Sequence, residues 1–180
     1  MNPHFLFNSL NVLDCLICEN KNEDASLFVH KLSGMYRYML KNEIDTLIPL
    51  RDELAFVGMY TDLLKVRFSC GFEVRTDVPE EFMSFQVVPC SIQMLVENAL
   101  KHNRVSPGNP LYIDMVAKDN RFIVTNTISP RMASSEESTK VGLNYIRQQY
   151  IDLSGNDIEV IDDGKTYSVS LPLLPVQKTT

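Results

Sequence analysis

The sequence lacks any run of about 18 apolar residues, which excludes a membrane-spanning helix within it. It also lacks a charged start followed by an apolar stretch, so no secretory signal peptide is read at its N-terminus. There is no excess of positive charge: 17 Lys and Arg stand against 23 Asp and Glu, for a net charge of −6. Nonspecific nucleic-acid binding needs a basic surface. With no Lys/Arg cluster and no base-reading motif, nucleic acid is excluded as an expected partner. Cysteine is scarce, limited to Cys15, Cys18, Cys70 and Cys90. Cys15 and Cys18 form a C-x-x-C, but a zinc site needs a second such pair. The four are therefore read as free thiols of a reducing compartment. No internal repeat is present. What remains is 180 residues with an ordinary 44% hydrophobic content, enough for one domain with a core, or a small element plus one domain.

Hydrophobic spacing predicts a helix over 3–19. Pro3 suits its first turn, where a missing N–H costs nothing. Leu6, Leu10, Leu13 and Ile17 form its stripe, widened by Phe5, Val12 and Leu16. After the polar turn at 19–23, Asp24 is expected to cap a second helix running to about 41, with Phe28, Leu32, Met35 and Met39 on one side. Two such helices joined by a short polar loop form an antiparallel hairpin. Alone it cannot bury both stripes, so a second copy of the chain is expected to complete a four-helix bundle. A third helix is predicted over 50–68, introduced by Pro49, with Leu54, Val57, Thr61, Leu64 and Phe68 on one side. Strands are predicted at 72–78, 111–117, 121–126, 157–161 and 167–171. Turns fall at Asp119-Asn120 and Asp162-Asp163-Gly164. Further helices are predicted at 89–103 and 142–153. Residues 127–140, polar and serine-rich, read as a long mobile loop. Helices and strands mix without regular alternation, so the fold class is α+β, with helices on one face of a mixed sheet.

The helix around Leu95-Val96-Glu97-Asn98-Ala99-Leu100-Lys101-His102 is two-sided. Ile92, Leu95, Val96, Ala99 and Leu100 lie on one side, and Glu97, Asn98, Lys101 and His102 on the other. Asn98, Lys101 and His102, three and four residues apart, can point into one cleft. An amide oxygen suits magnesium, a hard cation, and Lys101 offers a point charge to phosphate. By spacing alone, the same face also reads as a solvated surface with one Glu97–Lys101 pair.

The stretch Leu95–His102 resembles the N-box of the GHKL nucleotide-binding fold. Asn2-Pro3-His4-Phe5-Leu6-Phe7-Asn8-Ser9-Leu10-Asn11 resembles the H-box of LytS-type sensor histidine kinases. Val141-Gly142-Leu143-Asn144-Tyr145-Ile146-Arg147 resembles the G-box that follows the ATP lid. The three occur in the family's order, and the stretch from Pro49-Leu50-Arg51-Asp52-Glu53-Leu54 to Lys65-Val66-Arg67-Phe68 resembles its linker helix. The resemblance implies an N-terminal helical hairpin for dimerisation and phosphoacceptance over 1–48, and a GHKL-type α/β sandwich that binds ATP over 49–180. It implies that Asn98 ligates Mg2+ and that Lys101 and His102 lie near the phosphates. The backbone of Gly142, Leu143 and Asn144, at a helix N-terminus, would face phosphate oxygens. Asn126 would meet the adenine amino group. His4 would be the phosphoacceptor, with Asn8 one turn on, positioned to place a water. The implied partners are a second copy of the chain and the receiver domain of a response regulator. The chain would be a cytoplasmic core, opening inside a motif-bearing helix and joined to a membrane only through an upstream region.

The sequence departs from the family pattern at several places. Asn126 stands where an aspartate is usual, followed by Thr127-Ile128-Ser129 in place of glycines. Ser138, Lys140 and Tyr145 replace usual G-box residues, and Phe5 replaces the acid that often follows the histidine. Met94 stands where related ATPases carry a water-activating glutamate, which favours transfer to a protein over hydrolysis. Two functions follow. One is autophosphorylation of His4 from ATP. The other is a non-catalytic dimeric scaffold that binds a response regulator without turning over ATP.

Overall fold

The structure is a computed structural model that describes residues 3–41, 46–68, 71–130 and 137–176, with side chains undescribed at 3, 4, 41, 67 and 137–140. Helix α1 runs Pro3–Cys18 and α2 runs Asn22–Lys41. A Schellman turn joins them: the Lys21 amide donates to the Leu16 carbonyl at 2.9 Å, and the Asn20 amide to that of Ile17 at 2.9 Å. Asn20 takes the left-handed conformation this turn requires (φ 57°), which asparagine tolerates. The turn returns the chain to helix at once, and the Ala25 amide already donates to the Lys21 carbonyl. Asp24, expected as the cap, therefore lies inside the first turn of α2, where it and Glu23 face the positive end of the helix dipole.

Strand β1 (Ile48–Pro49) leads into α3 (Leu50–Phe68), and α3 is the partner the hairpin finds within its own chain. The Phe5 ring packs 5.3 Å from Tyr60, and Tyr38 stacks on Phe56 at 4.3 Å. Leu16, Phe28 and Met35 are buried. The inner face of α1 thus combines Phe5, Val12 and Leu16, expected only to widen the stripe, with Leu13 of the stripe itself. Leu10 and Ile17, expected at its centre, are 48% and 53% exposed.

After α3 come β2 (Phe72–Asp77), a single 3-10 turn (Glu80–Phe82) and β3 (Gln86–Val87), which pairs with β1. Helix α4 (Ser91–His102) crosses to β4 (Leu111–Lys118), which lies parallel to β2. The remaining elements are β5 (Arg121–Thr127), α5 (Glu137–Ser154), β6 (Glu159–Asp162) and β7 (Thr166–Pro172). The main sheet has the order β2-β4-β5-β7-β6, mixed as expected. Asp119 and Asn120, at φ 52° and 55°, close the β4–β5 hairpin with a two-residue turn of the primed kind.

Alternation along the strands decides which face is covered. Leu111, Ile113, Met115 and Ala117 of β4, with Phe122 and Val124 of β5, share one buried core with Ile92, Leu95, Val96, Ala99 and Leu100 of α4 and Ile146 and Tyr150 of α5. The fold is α+β with helices on one sheet face, as the sequence implied. The largest departure is α5, which begins at Glu137, five residues before the expected start. The centre of the expected loop, 131–136, lies outside the described residues.

Candidate functional site

Helix α4 is built as the sequence implied. Ile92, Leu95, Val96, Ala99 and Leu100 are buried, while Glu97, Asn98 and His102 are half-buried and Lys101 is exposed. Asn98 is therefore at the wet edge of the fold, not in the apolar interior.

The N-terminus of α4 has an origin the sequence reading missed. Cys90 precedes the helix in a left-handed conformation (φ 60°, ψ 5°) and gives no side-chain cap. The cap comes from α3. Glu53, fully buried, accepts hydrogen bonds from the Cys90 amide at 2.9 Å and the Ile92 amide at 3.1 Å. The Tyr38 hydroxyl of α2 donates to the same carboxyl at 2.9 Å. Burial pushes the Glu53 carboxyl up to about 7, against the hydrogen bonds from Cys90, Tyr38 and Ile92, which favour its charged form. Sequence spacing gave no sign of this role, because Glu53 and Ile92 lie far apart in the chain. The one local clue was an acid on an otherwise apolar side of α3.

The other end of α4 is pinned as well. Asn103 is buried; its Nδ2 donates to the Ala99 carbonyl at 2.9 Å, and its Oδ1 accepts from the Ser129 amide at 2.6 Å. The Arg104 amide donates to the Ser129 carbonyl at 2.7 Å. These bonds tie the end that carries Lys101 and His102 to the segment following Asn126. An asparagine just past a helix is a usual terminator, but its long-range partner is not legible locally.

Asn126 is buried at 6% exposure, in the row of Phe122 and Val124 that faces the helices. Its Nδ2 donates to the Thr127 carbonyl at 2.8 Å, so its Oδ1 is the side of the amide suited to accept from a ligand amine. Gly142 of α5 lies against the polar side of α4. A methyl group placed on it would stand 3.4 Å from Met94 Cε and 4.0 Å from Asn98 Nδ2. Leu143 is half-buried against the core, whereas Asn144 and Tyr145 are exposed. One expectation needs correcting. Gly142, Leu143 and Asn144 are not at a helix N-terminus, because α5 starts at Glu137. Their amides lie beyond the first turn and are engaged within the helix, so they do not present N–H groups to a phosphate in this arrangement.

His4 lies in the first turn of α1, and its side chain is outside those described. Asn8, half-buried one turn on, borders a groove of about 620 Å³ between α1, α2 and α3. Asn11, Cys15, Leu27, Lys31 and Asp62 also line that groove, and no residue of α4 does. Cys15, Cys18 and Cys90 are free thiols; Cys70 lies outside the described residues. Asn98 suits a magnesium ion only as one oxygen donor beside phosphate and water, because among the described residues no cluster of three or more acidic, His or Cys side chains could hold a metal alone. The structure thus brings Asn98 to Gly142, and ties the Lys101–His102 end of α4 to the Asn126 strand. His4 and Asn8 belong to the hairpin.

Against known proteins, residues 1–72 match the family model described as histidine kinase. The chain is 28% identical over 190 residues to Sensor protein LytS of Enterococcus faecalis, covering 93% of this chain and 31% of that one. It is 39% identical over 102 residues to Sensor protein LytS of Bacillus cereus, covering 57% and 17%. To Sensor histidine kinase BtsS of Escherichia coli K12 it is 37% identical over 102 residues, covering 57% and 18%. The chain spans about a third or less of the length of these relatives. Among solved structures, the catalytic domain of histidine kinase ThkA gives a TM-score of 0.52 at 16% identity, over 72% of this chain and 97% of that one. The cytoplasmic segment of histidine kinase QseC gives 0.50 at 18% identity, over 85% and 94%. These structural likenesses establish the fold.

Proposed function

We propose that this chain, similar in sequence to LytS-type sensor histidine kinases and sharing the fold of histidine-kinase catalytic domains, is the cytoplasmic core of such a sensor and phosphorylates itself at His4 from ATP. Residues 1–48 form the dimerising, phosphoaccepting hairpin, and 49–180 form the ATP-binding domain. The observation that carries the reading is Asn98 on the wet side of α4, beside Gly142, on a helix whose far end is tied to the Asn126 strand.

Asn126 Oδ1 accepts from the adenine amino group. Asn98 holds the nucleotide with its magnesium ion, which neutralises phosphate charge. Lys101 and His102 stand at the phosphate end. A neutral imidazole nitrogen of His4 attacks the γ-phosphorus, the bond to the bridging oxygen breaks, and ADP leaves carrying that oxygen. The phosphoryl group then passes to an aspartate of a response-regulator receiver domain. Asn8, on the same face of α1, positions a water for dephosphorylation. The apolar residues left exposed on the hairpin, among them Phe7, Leu10 and Leu40, form the surface for a second copy of the chain.

Incubation with γ-labelled ATP and magnesium tests the reading. Label that is lost in acid and kept in alkali marks phosphohistidine. Absence of such label from the dimeric chain would sink the kinase assignment.

One observation favours the second reading, a scaffold that binds a response regulator without turning over ATP. The amides of Gly142 and Leu143 are engaged inside α5, which lies close against Asn98. Calorimetric titration with ATP and magnesium separates the two: heat of binding supports the kinase, and none supports the scaffold.

A further inference from the structure

We infer that Glu53 is a positioning residue, which holds the nucleotide helix α4 by its N-terminus and couples it, through Tyr38, to the hairpin that bears His4. The inference rests on the reading of α4 as the nucleotide helix.

The geometry is unusual for a carboxyl. Glu53 is fully buried, beside Leu50, Phe56 and Val57 on α3, where a charge is costly unless hydrogen-bonded. The groups that meet it are donors, among them the Cys90 and Ile92 amides and the Tyr38 hydroxyl. Those two amides are among the ones a helix start leaves unpaired, and Cys90 itself supplies no cap. Remove the carboxylate and the start of α4 loses its acceptor. A 12-residue helix is a rod of about 18 Å. A shift at its start therefore carries to Asn98 and Lys101 near its end.

Tyr38 makes this a joint between layers and not only a cap. It belongs to the later half of α2, the second arm of the hairpin, and its ring is fixed by stacking on Phe56. Its hydroxyl and the Cys90 amide share one oxygen of Glu53. A movement of α2 that withdraws the hydroxyl changes the charge and strength of the acceptor that holds α4.

The carboxyl can respond near neutral pH. The titratable groups facing this cluster are Tyr38 on α2, Asp52 on α3, Cys90 before α4 and Tyr150 on α5. Burial pushes the Cys90 thiol and the Tyr150 hydroxyl each up to about 12, and burial with the Glu53 charge raises Tyr38 far above its usual value. These three stay neutral where Glu53 changes charge.

The test uses the whole chain and two variants, Glu53→Gln and Tyr38→Phe, the second keeping the stacked ring. Amide proton shifts are followed by NMR from about pH 5 to about pH 9, spanning the carboxyl's raised range. In the wild type the Cys90 and Ile92 amides are expected to titrate with one shared midpoint, and in Glu53→Gln that titration is expected to vanish. Tyr38→Phe removes a donor to the charged form, so its midpoint moves to higher pH. At saturating nucleotide, Tyr38→Phe is expected to slow labelling of His4 roughly tenfold, with little change in nucleotide affinity. Glu53→Gln is expected to lower both. Amides that do not titrate together in the wild type overturn the inference. So does a Tyr38→Phe variant with an unmoved midpoint and an unchanged labelling rate. Should Glu53→Gln fail to fold, Tyr38→Phe decides alone. If the amides behave as expected while the wild type takes up no label, the joint stands and the kinase reading falls.

Discussion

His4 and Asn98 carry different parts of the proposed reaction, and single substitutions separate them. His4→Gln is expected to abolish phosphate incorporation while nucleotide affinity stays intact, measured by labelling and calorimetry side by side. Asn98→Ala is expected to abolish both. Unchanged labelling in either variant counts against the roles assigned. Glu53 predicts a pH dependence of stability. Its carboxyl binds a proton more tightly in the folded chain, at about 7, than at the ordinary value of 4.5. Its stabilising contribution is therefore fully present below the lower value and lost as pH rises through the upper one. Urea unfolding across that window is expected to show falling stability in the wild type and a flatter profile in Glu53→Gln. Tyr36 differs from Tyr38. Its hydroxyl is the one buried side-chain polar atom without a partner among the described residues. Tyr36→Phe loses no hydrogen bond and removes a desolvated group, so it is expected to raise unfolding stability by about 1 kcal/mol. A drop in stability would reveal a partner for the hydroxyl.

Elements with a strong local signature were legible in the sequence. The alternation of β4 and β5, the Asp119-Asn120 turn and the two-sided α4 each follow from residues adjacent in the chain, and each is present. What was hidden depended on distant partners. The burial of Val12 and Leu16 in preference to Leu10 and Ile17 is decided by where α3 lies, not by the spacing on α1. The cap of α4 comes from Glu53, and the tie at its far end joins Asn103 to Ser129. The start of α5 was misread because residues 137–140 are polar and resemble their loop neighbours, although helices tolerate such residues in their first turn. The placement of Gly142 inside α5 has a measurable result. Gly142→Ala replaces a flexible residue in a helix interior and is expected to stabilise the fold by about 0.5–1 kcal/mol. The added methyl stands at ordinary contact distance from Met94 and Asn98. Affinity for ATP with magnesium is nonetheless expected to fall, because the methyl narrows the approach to Asn98. Unfolding in urea and calorimetry read the two effects separately.

At the scale of the molecule, two layers meet at α3: the hairpin on one side, and the sheet with α4 on the other. The hairpin keeps apolar residues in water, with Phe7 65% and Leu40 67% exposed. Phe7→Glu combined with Leu10→Glu is expected to convert a dimer into a monomer in sedimentation velocity, with the sheet domain still folded by circular dichroism. A wild type that sediments as a monomer would remove the second copy from the scheme. The opposite end of the molecule is built to stay single. The outermost strands of the main sheet are β2 and β6. Exposed Glu73, Arg75 and Asp77 line one, with Arg75 Nε 3.0 Å from Glu73 Oε1, and exposed Glu159 and Asp162 flank the other. A strand from a neighbouring molecule could extend the sheet only by stripping water from those charges. The sheet therefore has a finite width, and a crowded solution of chains is not expected to add strand to strand into fibres.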